Sequence, residues 1–516
     1  MFPSLFEIIH IPLNFLFVFL LFLITFKLLS LTSNKTPRNP PPTLRKLPII
    51  GNLHQLGSSP HHTLRALSHK HGPLLLMHLG SIPLLVASSA EAAKEILKTH
   101  DLIFANRPKL YFHDKLSYGS KDIGFAPYGE HWRQVKSITV LHLLSRKQVQ
   151  SFRKIREKQT IHMLEMMGKS CGSVINLTEL LFLLTINILC EVAFGKKGDL
   201  KFMDLMARMQ ILLGGFDVGS YIPCLSWVNW LHEGQANKVV KEYDEFFDGV
   251  IDEHINKSIK MDVNDTKGRQ NEGRDIVDIL LDVQRDNTLK FKFGRDTIKA
   301  VIFDVFTAGI EATSSSIEWA LSEIIRHPRV MKKLQTEVTQ IAQGRSMITE
   351  DDLHEMPYLK VVMKESLRLH VPIPLLVPRE AREDVKVMGY DIAKGTQVMI
   401  NAWAIARDPS NWEEPDKFYP ERFLNSSIDY KGFDFELIPF GAGRRGCPGA
   451  EFAMVIDELV IANMLLKFDL AMPNDGRPEE LDMTETLGFT VKKKSNLLVV
   501  PSSRLELSNC LDLHLG

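Results

Sequence analysis

Cysteine is scarce in this sequence, and its spacing excludes several kinds of site. The 516 residues contain an odd number of cysteines, which are far apart and include no CxxC pair: Cys171, Cys190, Cys224, Cys447 and Cys510. This argues against a disulfide framework and against a structural zinc site, and it fits a reducing compartment. The chain also lacks H-E-x-x-H and G-x-S-x-G, the motifs of two common classes of hydrolase.

An excess of charge is also lacking, with 62 lysines and arginines against 62 aspartates and glutamates. Such a chain has no overall field that would attract a polyanion, so we expect no nucleic-acid partner. With 45% hydrophobic and 24% charged residues, the composition is typical of a folded protein. The length permits one large core or two ordinary ones.

A long apolar run stands near the start of the chain. Residues 11–26 carry no charge and leucines continue to residue 31, so residues 8–31 are predicted to form a transmembrane anchor. Glu7 precedes the run and no small-residue cleavage site follows, which disfavours the alternative of a cleaved signal peptide. We expect a single-pass protein of the endoplasmic reticulum membrane with a cytosolic globule, because basic residues follow the run: Lys27, Lys35, Arg38, Arg45 and Lys46.

Beyond the anchor, the sequence divides into a proline-rich spacer, residues 32–52, and a catalytic domain, residues 53–516. Closely spaced prolines forbid a helix in the spacer and favour an extended chain between membrane and globule. At the start of the domain, alternating apolar residues at 73–79 and 82–87 predict a β-hairpin. Helical periodicity then dominates from residue 90 to about residue 382.

Three further segments complete this description of the domain. The polar residues 257–275 contain two glycines and are predicted to form a surface loop. Residues 398–401 predict a strand, and residues 450–466 predict one long helix. The predicted fold class is therefore mainly α, with a large helical region and a small β region.

The segment F-G-A-G-R-R-G-C-P-G, residues 440–449, is the strongest candidate for a functional site. Its glycines let the backbone pass close to a flat ligand and turn amides toward the sulfur of Cys447. Amides and a metal ion both favour an ionised sulfur, and the guanidinium of Arg445 suits a carboxylate. We call this segment the cysteine loop.

Two other interpretations of the cysteine loop stay open at this point. Gly441, Gly443 and Gly446 also spell the dinucleotide fingerprint G-x-G-x-x-G, although Pro439 interrupts a preceding strand and Asp469 comes late for the acidic residue. The segment could also be a glycine turn beside a buried cysteine. These alternatives can be distinguished only by other motifs elsewhere in the sequence.

Other motifs accompany the cysteine loop in a fixed order. Glu365 and Arg368, in K-E-S-L-R, share one helix face at a spacing of three residues. Arg422, in P-E-R-F, could complete a buried Glu-Arg-Arg network, which is tolerated only when every donor is satisfied. Upstream, W-R-x-x-K runs from Trp132 to Lys136. Each motif alone is ordinary.

Together these motifs resemble the cytochrome P450 family over nearly the whole chain after the anchor. The likeness is greatest to the plant A-type enzymes, in L-P-I-I-G-N-L-H-Q-L, F-A-P-Y-G-E-H-W-R-Q and I-N-A-W-A-I-A-R-D-P. The resemblance implies the cytochrome P450 fold and haem b as cofactor. It also implies that Cys447 is the metal ligand. The other cofactor-binding residues that it implies are Phe440 near the sulfur, Trp132, Lys136, Arg379 and Arg445 at the propionates, and Gly309 on the helix that crosses the haem.

By the same resemblance, the protein is a monooxygenase that inserts one oxygen atom from O₂ into its substrate. Electrons would come from NADPH through a separate NADPH-cytochrome P450 reductase, with cytochrome b5 as a further possible partner. We expect a small hydrophobic plant metabolite as substrate, such as a terpenoid, coumarin or other phenylpropanoid. The segments expected to line its cavity are residues 110–125, 206–218, 303–313, 371–377 and 487–489.

One segment departs from the family pattern A-G-x-D/E-T-T/S. Ala308, Gly309 and Glu311 match, but Ala312 occupies the position of the oxygen-activating threonine and Thr313 follows it. One residue is about 100° of helix rotation, which turns the Thr313 hydroxyl away from the usual direction. Glu311 and Thr313 are the expected catalytic residues for proton delivery.

Three alternatives to this expectation stay open. Asp304, Glu311 and Glu318 recur every seven residues, so Glu311 could belong to a polar stripe along the helix. Without the threonine, the enzyme could instead be a dehydratase or isomerase that inserts no oxygen. A haem-binding sensor without catalytic activity is a third possibility.

Overall fold

The computed structural model describes residues 39–214, 218–262, 273–286, 291, 293–486, 488 and 490–504. The predicted anchor, residues 8–31, and the first part of the spacer lie outside this part of the chain. The α-helices are α1 (Pro60–His71), α2 (Ala90–Lys94), α3 (Tyr111–Leu116), α4 (Glu130–Ile138), α5 (Arg146–Ser151), α6 (Arg153–Lys169), α7 (Leu177–Phe194), α8 (Leu200–Gly214), α9 (Val218–Tyr221), α10 (Trp227–Asp262), α11 (Ile276–Arg285), α12 (Arg295–Arg326), α13 (Pro328–Ala342), α14 (Pro357–Leu369), α15 (Ala402–Ile405) and α16 (Ala450–Lys467).

The strands form small sheets at the side of the helices. They are β1 (Leu74–Leu79), β2 (Ile82–Ala87), β3 (Ile175–Asn176), β4 (Arg379–Glu380), β5 (Val385–Val387), β6 (Tyr390–Ile392), β7 (Gln397–Ile400), β8 (Phe468–Ala471), β9 (Glu485–Thr486), β10 (Lys492–Lys493) and β11 (Leu498–Ser503). The largest sheet has the order β1-β2-β7-β4, in which only the β2–β7 pair is parallel. The others are β3-β11-β8 and the pairs β5-β6 and β9-β10.

The predicted hairpin, strand and long helix are confirmed. β1 pairs antiparallel with β2 from Leu74↔Ala87 to Leu79↔Ile82. Gly80, at φ +57°, makes the tight turn between them because a left-handed conformation costs glycine little. β7 covers most of the predicted strand, and α16 the predicted helix.

Two predicted boundaries change. The spacer does not stand clear of the globule: Thr43 bridges to Leu76, and the Asn52 amide donates to the His78 carbonyl at 2.6 Å. Its described part, residues 39–52, therefore lies along β1 as part of the domain. The predicted loop at residues 257–275 begins too early, because α10 continues to Asp262; residues 263–272 lie outside the described residues.

The long helix α12 runs through the middle of the largest hydrophobic cluster. It starts after Gly294 and ends at His327, where the following Pro328 disfavours another helical turn. By length and composition α7 and α12 could each span a membrane, but most of each is buried inside the fold. Their apolar character is therefore accounted for by the protein core.

The Glu-Arg-Arg network is present and closed. Glu365 and Arg368 are both fully buried, and their side chains make two hydrogen bonds of 2.7 and 2.9 Å. Arg368 also donates to the carbonyls of Ala406, Pro415 and Lys417. Arg422 completes the network with a 3.1 Å bond to Glu365. All the donors of Arg368 are thus used, which is the condition for a buried charge to be tolerated.

We predict that Arg368→Ala lowers the free energy of unfolding by about 3–5 kcal/mol, because it leaves the Glu365 carboxylate buried without a partner. The measurement is urea unfolding. Arg329→Ala is the control, because Arg329 is exposed and pairs with Glu421 at the surface; it should cost less than about 1 kcal/mol. Equal losses in the two variants would contradict the prediction.

Candidate functional site

The cysteine loop is a tight turn closed by its own backbone. The Cys447 amide donates to the Phe440 carbonyl at 2.9 Å, and the Gly446 amide donates to the Gly443 carbonyl at 3.0 Å. Gly441 and Gly443 have φ of +68° and +67°, a conformation that other residues rarely adopt. A Cβ at Gly443 would lie 2.3 Å from the Leu97 carbonyl oxygen. Glycine is therefore required there both by conformation and by close approach.

The dinucleotide interpretation of these glycines is not supported. Within the described part of the chain, no strand lies between β7 and the cysteine loop. The βαβ unit that such a fingerprint needs is therefore missing at this point.

The Cys447 side chain is accessible, yet burial raises the pKa of its thiol. These two facts agree when the sulfur faces a cavity inside the fold instead of the outer surface. The amides of Gly449 and Ala450 and the ammonium of Lys136 act on the pKa in the opposite direction. The loop therefore supplies the donors that a thiolate needs.

One face of α12 forms another wall of this cavity. Ala308 is exposed although the helix lies in the core, and Asp304, Val305, Gly309 and Ala312 beside it are partly exposed. Lys136 contacts the cysteine loop, where its ammonium donates to the Gly446 carbonyl at 3.1 Å, and the charges of both Cys447 and Asp304 favour its protonated form. The cysteine loop and this face of α12 therefore lie near the same cation.

Glu311, Ala312 and Thr313 point in different directions from α12. Ala312 lies on the face that borders the cavity, whereas Thr313 is buried. The helix is regular through these residues, so no local distortion turns Thr313 toward the cavity. The buried Glu311 carboxylate pairs with the ammonium of Lys492 on β10. This placement disfavours the Thr313 hydroxyl as a group that reaches the cavity.

Gly309 has a packing role that is visible in the structure. A Cβ at this position would lie 2.9 Å from Cδ1 of Leu189, so the missing side chain lets α7 pack closely on α12. Phe440 is partly buried, and its ring centroid lies 5.6 Å from that of Tyr430. Its carbonyl closes the cysteine loop, as described above.

Four cationic side chains converge beside the cavity: Lys136, Arg379, Arg445 and also Arg107, which the sequence analysis missed. Burial lowers the pKa of all four, to about 8 for Lys136 and about 9 for Arg445. Repulsion among the cations adds to this at Arg107, Lys136 and Arg445. Because a guanidinium stays protonated in proteins, these shifts indicate a concentration of positive charge that an anion would relieve.

One short loop segment provides carbonyl acceptors for the guanidinium groups of Arg445 and Arg107. Arg445 donates to the carbonyls of Ile123 and Ala126 at 3.0 and 2.6 Å, and Arg107 donates to that of Gly124 at 2.8 Å. The indole N–H of Trp132 donates to Ile123 at 3.0 Å, and the Arg445 guanidinium lies 4.1 Å from the centre of the Trp132 ring. The predicted residues Trp132 and Arg445 are therefore brought together.

The residues present fit haem b. A cysteine sulfur with amide donors suits the iron, and the four cations suit two propionates, which are anions. Acidic neighbours neutralise the cations only in part: Arg379 pairs with Asp101 at 3.2 Å, whereas burial raises the pKa values of Asp122 and Asp304. Arg107 gave no signal in the sequence beyond an arginine before a proline, since its partners are distant in the chain.

Comparisons with known proteins agree with this geometry. A family model described as Cytochrome P450 matches residues 40–500. A 3-beta-hydroxylase from Tanacetum parthenium is 54% identical over 477 residues, which are 91% of this chain and 94% of that protein. A norfluorocurarine oxidase from a Strychnos species is 49% identical over 96% of this chain and 98% of that protein.

The solved structures give the same fold. A zebra fish cytochrome P450 with abiraterone superimposes with a TM-score of 0.74, over 87% of this chain and 100% of that chain, at 24% sequence identity. The fold, the cysteine loop and the family match agree with one another. The protein is an enzyme that binds haem b, and it belongs to the cytochrome P450 family.

Proposed function

We propose that this enzyme inserts one oxygen atom from O₂ into a small hydrophobic plant metabolite, such as a terpenoid, coumarin or other phenylpropanoid. The observation that carries the proposal is the cysteine loop, in which two amides and Lys136 favour an ionised sulfur at the accessible Cys447. The names of the two plant relatives, a hydroxylase and an oxidase, support the reaction class.

In this proposal Cys447 holds the haem iron, and Phe440 supports its sulfur. Haem with a thiolate ligand activates O₂ for insertion into an unactivated C–H bond. Trp132, Lys136, Arg379 and Arg445 bind the propionates, and Arg107 joins them. Gly309 lets α12 lie where its exposed face borders the cofactor.

The cavity wall supports an apolar substrate. Val305, Ala308 and Ala312 present only hydrocarbon along α12. Ile373 and Leu375, in the segment after α14, are partly exposed apolar residues of the kind that line such cavities. Leu487 and Phe489, which the sequence analysis also placed at the substrate, lie outside the described residues.

We assign proton delivery to Glu311 with water, and Thr313 is the second candidate. Glu311 is a buried acid next to Ala312, and its partner Lys492 is partly exposed. The pair therefore connects the neighbourhood of the cavity with the surface. Thr313 is buried, like Glu311, and lies one helical turn after Gly309.

Electrons are proposed to come from NADPH through NADPH-cytochrome P450 reductase, with cytochrome b5 as a second donor. Of the two arginines of the cysteine loop, only Arg444 is exposed; Arg445 is buried and its guanidinium is bound to carbonyls. Arg444 is therefore the residue of the loop that a partner can contact.

The enzyme is proposed to sit at the endoplasmic reticulum membrane, facing the cytosol. Trp227 and Trp230 at the start of α10 are exposed, as are Leu47 and Ile49. Ile50, which follows Ile49, and Leu225, which lies two residues before Trp227, both pack against the same apolar cluster. This side of the protein thus offers aromatic and aliphatic side chains of the kind found at membrane interfaces.

The haem assignment predicts that Cys447→Ala abolishes the thiolate-type Soret absorption of the reduced carbon monoxide complex. Cys190→Ala is the control, because Cys190 is buried between helices away from the loop. That variant should keep the absorption. Retention of the thiolate-type absorption in Cys447→Ala would exclude Cys447 as the ligand.

The proton path predicts that Glu311→Gln lowers the product formed per NADPH by about tenfold or more, since positioned acids contribute factors of this size. Thr313→Val should change it less than about twofold, because its hydroxyl does not reach the cavity, and Ala312→Thr should improve it. Glu318→Gln is the control, as another buried acid of α12 whose partner is Thr178.

Labelling with ¹⁸O₂ separates the reaction classes in the same assay. We expect one labelled oxygen atom in the product. A dehydratase or isomerase would form unlabelled product without NADPH and would be indifferent to these variants. A sensor would bind ligands without any turnover.

The membrane proposal predicts that protease added to intact microsomes digests the globule. The positive-inside arrangement of the anchor places the domain outside the vesicle. A lumenal protein added as a control should stay intact. Protection of the globule until detergent is added would reverse the proposed orientation.

A further inference from the structure

Two acids, the buried Asp122 and the partly exposed Asp304, meet between α12 and the loop that precedes α4. Asp304 accepts hydrogen bonds from the amides of Ile123 at 2.5 Å and Gly124 at 3.3 Å, and Asp122 accepts from that of Phe125 at 2.8 Å. A Cβ at Gly124 would lie 3.3 Å from one Asp304 oxygen and 3.4 Å from one Asp122 oxygen. Both carboxyl groups therefore lie against the same backbone.

The two carboxyl groups are also close to each other. Oδ1 of Asp122 is buried and has no hydrogen-bond donor, so the neighbouring Asp304 is the group placed to share a proton with it. A hydrogen bond between two carboxyl groups needs one proton. Burial raises the pKa of Asp122 to about 6, and burial, followed by the charge of Asp122, raises the pKa of Asp304 well above its usual range. Both shifts favour a proton held by the pair.

Residues 122–126, which we call the relay segment, have polar groups on two sides. Their amides donate to the acid pair, while the carbonyls of Ile123, Gly124 and Ala126 accept from Trp132, Arg107 and Arg445. Chains of hydrogen bonds of this kind polarise and strengthen one another.

We propose that Asp122 and Asp304 share one proton, and that this acid pair holds the relay segment so that its carbonyls orient Trp132, Arg107 and Arg445 toward the haem propionates. Asp122 and Asp304 are positioning residues, since they act through the relay segment. The inference rests on the proposed function for the propionate role of these donors. Nothing in the family comparison assigns the acid pair.

The sign of the pH dependence follows from the raised pKa values. The folded protein binds more protons than the unfolded chain above about pH 4, so the pair's contribution to stability falls as pH rises through the folded-state pKa values. Above them the two carboxylates repel each other and the hydrogen bond is lost. The other titratable and charged groups around the pair are Arg107, Tyr128, Lys136, Tyr243 and Arg445.

Haem retention by the full-length protein tests the proposal. The probe is the transfer of haem to excess apomyoglobin between pH 6.5 and 9. Loss should accelerate about tenfold or more in the wild type, since one pKa unit corresponds to a factor of ten. Asp304→Asn should keep only the part of this pH dependence that comes from Lys136, whose pKa burial lowers to about 8, because the amide of Asn donates to Asp122 without a titrating proton. The same pH profile in Asp304→Asn and the wild type would overturn the proposal.

Asp296→Asn is the matched control. Asp296 also lies on α12 and also binds the loop before α4, through a 2.6 Å ion pair with Lys121, but this pair is exposed. Its pH profile should follow the wild type. A flat profile in Asp296→Asn would mean that any link between helix and loop suffices, which would overturn the specific role of the acid pair.

Infrared spectroscopy tests the shared proton itself. With ¹³C-labelled aspartate, the wild type should show a label-sensitive band of a protonated carboxyl at pH 7. The band should lose intensity in Asp304→Asn and in Asp122→Asn and keep it in Asp296→Asn, while the buried Asp457, whose pKa is also raised, contributes equally in all of them. Absence of the band in the wild type, or unchanged intensity in both variants, would overturn the proposal. Failure of the proposed function would look different, because thiolate-type absorption would then be missing from the wild type as well.

Discussion

Charged groups that are removed from water need hydrogen-bond or ionic partners inside the protein. The residues around the cavity are arranged to meet this requirement. The amides of Gly449 and Ala450 and the charge of Lys136 favour the ionised form of the Cys447 sulfur. The cations beside it use backbone carbonyls as acceptors and still retain excess positive charge. The same requirement is met differently in the Glu365–Arg368 network, which is closed within the protein. The cation cluster is not closed in this way, and this difference marks it as a place for anions.

Sequence reasoning succeeded where chemistry is local. The glycines, the sulfur and the arginines of the cysteine loop all lie within ten residues. Most of the geometry of the loop could therefore be predicted from one short motif. The hairpin β1–β2 and the helix α16 were predictable for the same reason, since periodicity and turn residues act over a few positions. The structure brings Arg445 next to Trp132, which the sequence named separately, and the burial of Arg445 was not foreseen.

The remaining features depend on contacts between distant parts of the chain. Asp304 bonds to an amide 181 residues away, and Lys492 is 181 residues from Glu311. From spacing alone, Asp304, Glu311 and Glu318 look like one solvated stripe; in the structure each binds a different element. Arg107 was missed because its acceptors lie in the relay segment and beyond residue 376. No pattern within α12 or around Arg107 contains this information.

The three acids also explain why a rotation of α12 cannot compensate for the hydroxyl that is missing at Ala312. Asp304 ties the helix to the relay segment, Glu311 ties it to β10, and Glu318 ties it to Thr178 at the start of α7. Turning the helix by the roughly 100° needed to present Thr313 would break all three ties and expose buried charge. We therefore propose that a mobile group replaces the missing hydroxyl, either water beside Glu311 or a hydroxyl of the substrate. Thr313, which is fixed on α12, stays the second candidate.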